Sequence, residues 1–288
     1  MGLKSDHSKQ LVAYRGVDAA DKFVEYMVME EEEIEHNIKH CEPMFMIGSD
    51  WQSLKKATHC HICNKELNPV RVRDHCYVTR KCRGAAHSDF NINYTFTGLS
   101  LVIFHNLRGY DSHLIMQAIG KVNKQIKCIP NNLEKHILFS LGSMDFLESF
   151  QFMSSWLEKL IEKLAKEGPK TFKSMMTFFD DDKMTLRLRK QIYPYEYFDS
   201  ESKITEQELP HIEAFYSSLS GECITEEDYA HAQTAWREFE LQNIGQYHDL
   251  YVFTDVLSLA DVFENFRDIC LNYYGLDAAH FYTSPGLT

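Results

Sequence analysis

The chain has no apolar run approaching the ~18 residues that a membrane-spanning helix requires. Its first ten residues, MGLKSDHSKQ, hold no apolar signal region. They begin MGxxxD, which departs from the MGxxx[ST] pattern of N-myristoylation. There is no internal repeat and no low-complexity tract. Basic charge is in deficit: 30 Lys and Arg against 42 Asp and Glu leave a net charge of −12. That balance excludes a protein that coats nucleic acid along its whole surface. Eight cysteines in 288 residues are too few for a disulfide scaffold. These absences together lead to the expectation of a soluble, intracellular protein.

What is present is a large apolar and aromatic fraction, 44% and 13% of residues, with 19 Phe and 15 Tyr. This suffices for a real core in one large domain or two smaller ones. Phe23, Met27, Ile34 and Ile38 recur at helical spacing within residues 18–40. Asp18 and Asp21 there have the form of a capping box, and the run Glu30 to Glu33 reads as a solvated face. Leu101-Val102-Ile103-Phe104 reads as a buried strand, followed by a turn and a short helix. A hairpin is expected where His136–Leu141 and Met144–Phe152 flank Gly142-Ser143. Leu157, Leu160, Ile161 and Leu164 mark one face of a helix over 154–166, ended by Gly168-Pro169. Thr225-Glu-Glu-Asp228 is a capping box that opens a helix through Glu240. A second long helix is expected from about Gly245 to Tyr274, with Gly275 as its cap. Residues 190–225, with the phrase YPYEYFDS, read as a long ordered excursion.

Two constellations carry chemistry. In FHNLRGYDSHLI, residues 104–115, a buried strand ends in Asn106 and a Gly-aromatic-Asp turn. Asp111 is thereby held at the rim of a sheet, where α/β folds place metals and phosphates. Downstream, Tyr251 and Asp255 stand four residues apart and share a helix face. Val256, Leu257, Leu259 and Val262 make the surroundings of Asp255 apolar, so its charge calls for a partner. Taken alone, the pair also fits an ordinary amphipathic helix whose Tyr packs inward and whose Asp faces water.

The second constellation is rich in Cys and His. Cys60, Cys63, Cys76 and Cys82 crowd into 23 residues beside several histidines, a pattern that favours metal over disulfide in a reducing compartment. Cys60-His-Ile-Cys63 is a C-x-x-C knuckle whose partners would follow among His75, Cys76, Cys82 and His87. Arg71, Arg73, Arg80, Lys81 and Arg83 make the segment locally basic. They suit phosphate contact, and equally suit solubility alone.

At these residues the chain resembles a known family. Asn106-Leu-Arg-Gly-Tyr110-Asp111 looks like the second motif of the proofreading exonuclease of family B DNA polymerases, and Tyr251-Val-Phe-Thr-Asp255 like the third. With RDHCYVTRKCRGAAH, YPYEYFDS, EAFYSSLSGE and LADVFENFR, the likeness extends over nearly the whole chain. It points to the protein-primed branch found in linear plasmids, viruses and Polinton-like elements. The resemblance implies an α/β (α+β) chain: an incomplete ribonuclease H-like 3′–5′ exonuclease fold with a small N-terminal Cys/His metal module. Its implied divisions are a helical segment over 1–50, a zinc module over 51–97 and the exonuclease region over 98–288. It implies two-metal phosphodiester hydrolysis with Mg²⁺. Asp255 would bind the metal that activates water, Asp111 would help hold the second, and Tyr251 would orient the water. Asn106 and Tyr110 would contact a single-stranded 3′ DNA end. A terminal priming protein would be a further partner, and no membrane is implied.

The 58–94 segment resembles the endonuclease VII type of ββα-metal module. This implies Zn²⁺ on Cys60, Cys63 and His87, with Phe90 standing where the family has a fourth ligand and Cys82 or His59 as substitutes. Asp74, His75 and Asn91 match the nuclease residues of that module, whose second His is Tyr77 here. The chain also departs from the polymerase family. No Asp-x-Glu on a strand-like run precedes Phe104, and the polymerase motifs are missing. Two carboxylates are too few hard oxygen ligands for two Mg²⁺. The implied chain is therefore the exonuclease-side fragment of a DNA-directed DNA polymerase acting in DNA replication, inactive alone. The alternatives are a non-catalytic zinc-dependent DNA-binding module and a truncated product without function.

Overall fold

The computed structural model describes residues 12–40, 43–62, 65–76, 80–88, 100–107, 111–130, 136–179, 186, 192–218 and 220–287. The chain divides into two compact units. One comprises Met1–Phe152 with Tyr274–Thr288, the other Met153–Tyr273. The class is mixed α+β, with all of the described strands in the first unit.

The first unit opens with α1 (Ala19–Lys39) and α2 (Gly48–Lys56). A two-stranded hairpin follows, β1 (Arg71–His75) antiparallel to β2 (Cys82–His87). Then come β3 (Ser100–Phe104), α3 (Asp111–Ile119), β4 (Ile126–Pro130), β5 (His136–Leu141) and β6 (Met144–Glu148). The last four strands form one mixed sheet in the order β3-β6-β5-β4. β3 runs parallel to β6, while β6, β5 and β4 form an antiparallel meander. β6 is flanked on both edges and buried at all five positions.

The core lies between this sheet and α1 with α3. Val24, Ile115, Ile119, Leu141, Met144 and Phe146 meet there, with Phe23, Met27 and Phe104 packed on their margin. Phe139 and Phe146 are cross-strand partners and stack at 4.3 Å between ring centroids. Such a pair is worth about 0.5–1.5 kcal/mol beyond its buried area. Gly142, at φ +60°, occupies the first central position of the two-residue β5–β6 turn, as a II′ turn requires.

Two readings of α1 are corrected. Asp18 is the N-cap residue, but its side chain makes no cap hydrogen bond; it accepts from the Tyr14 hydroxyl at 2.7 Å. The acidic run is not wholly solvated. Glu32 and Glu33 are exposed, whereas Glu31 is 1% exposed. It is buried because α1 lies over the β5–β6 turn. There Glu31 accepts from the Ser143 backbone N–H, from Ser143 Oγ at 2.8 Å and from Lys124 Nζ at 2.5 Å. A Cβ on Gly142 would collide with this carboxylate.

The second unit is helical: α4 (Leu157–Ala165), α5 (Lys173–Phe178), α6 (Glu226–Glu238) and α7 (Ile244–Tyr274), whose last residue counts with the first unit. Ile161 and Leu164 of α4 are buried, as the amphipathic spacing predicts. The Thr225–Asp228 capping box is formed in both directions. Residues 192–218 run as short turns rather than long elements. A four-residue helix, α8 (Ser284–Leu287), ends the described chain in the first unit. No described helix is long and apolar enough to cross a membrane.

Candidate functional site

The exit of β3 is set by sequence that cannot continue a strand. Asn106 takes φ +66°, a left-handed conformation that Asn tolerates better than most residues. Its backbone N–H donates to Glu148 Oε1 at 2.8 Å, and the same oxygen accepts from the Phe150 N–H at 3.0 Å. Glu148 is 3% exposed and lies opposite Phe104 in the parallel register, so the ends of β3 and β6 are clamped together. Ser149 adds a second tie. Its hydroxyl donates to the Phe104 carbonyl at 2.8 Å and lies 2.9 Å from His105 Nδ1. Since that hydroxyl proton is committed, Nδ1 of His105 is the donor in the second contact. Glu148, Ser149 and His105 were not singled out from the sequence. The available signal was a Glu-Ser pair ending a strand of alternating apolar residues.

Asp111 is the first residue of α3, just past this rim. The Ser112 N–H donates to the Leu107 carbonyl at 3.1 Å, which starts the helix. The side chain of Asp111, and all of Tyr110, lie outside the described part of the chain.

Tyr251 and Asp255 belong to the second unit and share a face of α7. The Tyr251 ring is buried, and its hydroxyl is hydrogen-bonded to both Asp255 and the Tyr195 hydroxyl. Burial, then the Asp255 charge and Tyr195, push the Tyr251 phenol far above its ordinary range, so it is a fixed proton donor. If Tyr251 donates to the carboxylate, Tyr195 donates to Tyr251, giving a directed chain from Tyr195 to Asp255.

The YPYEYFDS segment packs onto this face. Tyr193 stacks on Tyr251 at 4.7 Å, and its hydroxyl lies 2.8 Å from His248 Nδ1. Phe198 stacks on Tyr193 at 5.6 Å. The Tyr247 hydroxyl donates to the Ile192 carbonyl. The segment expected from sequence to be an excursion instead covers the Tyr251–Asp255 face with its aromatics. The density of aromatic residues was the available signal. Asp111 and Asp255, which the motif reading pairs, thus lie one in each unit.

In the Cys/His segment, Cys60 is fully buried in a knuckle closed by Cys60 N–H to the Lys65 carbonyl at 2.8 Å and Leu67 N–H to the Thr58 carbonyl at 2.8 Å. His87 Nε2 lies 3.0 Å from the Glu66 carbonyl. Cys63 and Asn91 lie outside the described residues. Among the described residues, no three metal-ligating side chains converge. Asp74, 4% exposed, has a carboxylate oxygen 2.8 Å from His61 Nε2 and 3.5 Å from Arg83 Nη1. His61 fits because Gly84 faces it; a Cβ there would come within 3.2 Å of its ring. His75 follows Asp74 across a β-bulge. Arg71, Arg73 and Lys81 are exposed on the hairpin, and Arg80 and Arg83 are half-buried.

The donor sets can be set against the implied metals. Zinc takes four ligands, and of the three implied only Cys60 and His87 have described side chains. Magnesium takes six oxygens, and Asp255, already bonded to Tyr251, is the one carboxylate of the implied pair whose contacts are described. The described residues do not make up either set. No family model, curated protein or solved structure matches this chain.

Proposed function

We propose that the chain is the exonuclease-side region of a protein-primed family B DNA polymerase, with an incomplete ribonuclease H-like fold. The observation that carries this reading is the Tyr251–Asp255 pair, which shares one face of α7 at the Tyr-x-x-x-Asp spacing of the third motif. The clamped β3 rim supports it, because it sets Asn106 and the start of α3 at the end of a parallel strand pair.

In this reading the aromatics around Tyr251 stack on the bases of a single-stranded 3′ end. Tyr251, with its proton fixed, directs its hydroxyl at Asp255 rather than acting as a base. The Asp-x-Glu pair has no counterpart before Phe104 and the described donors do not complete a two-metal set, so no hydrolytic step is assigned to the isolated chain. The proposed partners are single-stranded DNA and a priming protein.

The test is Mn²⁺-dependent binding of an oligonucleotide with a free single-stranded 3′ end. Wild type is expected to bind more tightly as Mn²⁺ is added, and Asp255→Asn and Asp111→Asn are each expected to lose that response. An Mn²⁺ response identical in all three proteins would sink the reading.

A further inference from the structure

The hairpin of the first unit carries a surface that the carboxylate motifs do not use. Trp51, in the first turn of α2, is 46% exposed, and Phe45 just before that helix is 65% exposed. α2 buries Leu54, while Trp51, one turn before it, remains exposed. Both residues are nonetheless tied to the hairpin, Phe45 by its backbone and Trp51 by its ring. The Phe45 N–H donates to the Arg80 carbonyl at 3.0 Å, and Phe45 bridges Lys81. The Arg73 guanidinium lies 5.4 Å from the centre of the Trp51 ring, with Nη1 4.0 Å from Met46 Sδ.

Charge is sorted on this surface. Lys55, Lys56, Arg71, Arg73 and Lys81 are exposed. Of the three described acids between residues 43 and 88, Asp50 caps α2 by accepting the Ile47 N–H at 2.9 Å, and buried Asp74 faces His61 and Arg83. Only Glu66 among them stands exposed. In a chain of net charge −12, the hairpin thus turns cations outward beside two exposed aromatic rings.

We propose that this face binds single-stranded nucleic acid. Phosphates lie along the Lys and Arg side chains, and unpaired bases stack on Trp51 and Phe45. Every base offers a π-face, so stacking tolerates any sequence, and an arginine already set against Trp51 adds a cation–π contribution. A duplex is the wrong occupant, because its bases are stacked on one another and present edges rather than faces. The surface needs neither Asp111 nor Asp255, so it stands or falls separately from the exonuclease reading.

The test uses the full chain in EDTA and follows the anisotropy of a fluorescein-labelled oligothymidylate of about 20 nucleotides, longer than one typical site. Trp51→Ala is expected to weaken binding about 5- to 150-fold, the range for losing one stacked base, while Trp51→Phe keeps most of the affinity. Lys55→Gln with Lys56→Gln is expected to reduce the slope of log affinity against log salt by about 1 to 2. A duplex of the same length is expected to bind more weakly. Unchanged affinity in Trp51→Ala overturns the proposal, as does duplex binding equal to single-strand binding. Thermal unfolding of each variant, followed by circular dichroism, separates lost contact from lost fold.

Discussion

The two units hold buried carboxylates in different ways. In the first, Glu31 is inside the fold with a cation, Lys124, and two donors of Ser143. In the second, Asp261 is 2% exposed and accepts the backbone N–H groups of Ser174 at 2.6 Å and Met175 at 3.0 Å at the start of α5, with the Ser174 side chain as a further donor. Burial raises the pKa of both. For Glu31, Lys124 and Ser143 outweigh burial, and the pKa ends below the ordinary 4.5. For Asp261 the two amides, the Ser174 side chain and the Lys173 charge together do not outweigh it, and the pKa ends above the ordinary 3.8. A cation hydrogen-bonded directly to the carboxylate offsets the loss of hydration, whereas uncharged donors with a lysine charge outside hydrogen-bond contact do so only in part.

The largest test of this contrast is Lys124→Met, which keeps the side-chain length and leaves Glu31 buried without its cation. Urea denaturation of the first unit is expected to show a loss of about 3–5 kcal/mol, the usual cost of breaking a buried pair. A loss under about 1 kcal/mol, the size of an exposed ion pair, would show that Glu31 is effectively solvated.

Acid should remove the same contribution gradually. Because the folded pKa of Glu31 is depressed, its stabilisation is present above the unfolded pKa near 4.5 and is lost as pH falls through the folded value. The advantage of wild type over Glu31→Gln is thus expected to shrink below about pH 4.5. The raised Asp261 has the opposite sign. Its contribution is fully present below pH 3.8 and is lost as pH rises through the folded value. Native-state hydrogen exchange, corrected for intrinsic rates, reads the two at Ser143 and at Ser174. Parallel trends at both amides would break the contrast.

A smaller effect is expected at the tyrosine cluster. Tyr251→Phe deletes the hydroxyl that joins Tyr195 to Asp255, leaving both partners one bond short. The expected cost is about 1–3 kcal/mol. Tyr195→Phe removes only the outer link and should cost less, so equal losses would argue against a directed chain. Smallest is Thr225→Ala, which opens the capping box of α6 at an exposed helix end. About 1 kcal/mol is expected, read as a shift in the urea midpoint with an unchanged slope.

Elements with a local cause were legible in sequence. The Thr225–Asp228 box, the Gly142-Ser143 turn and the amphipathic stripe of α4 depend on residues within a turn or two of one another, and all three are present. The Tyr251–Asp255 spacing was legible for the same reason, because a helix puts residues i and i+4 on one face. The acidic run of α1 misled because the fate of Glu31 depends on Lys124, 93 residues away, and on the turn at Ser143, 112 residues away. Composition alone treats four consecutive glutamates as equivalent. Tertiary packing selected one of them.

The same division runs through the candidate site. The sequence by itself determined that a strand ends at Phe104, that Asn106 leaves it, and that Tyr251 precedes Asp255 by one helical turn, since each follows from backbone geometry acting over a few residues. Only the tertiary structure decided that Glu148 clamps the exit of β3, that Tyr195 caps Tyr251, that Asp74 faces His61 across Gly84, and that Trp51 meets Arg73. These contacts join residues 13 to 56 positions apart in the chain. They arise when burial brings polar and aromatic groups from distant parts of the chain together, and no local rule names which ones will meet.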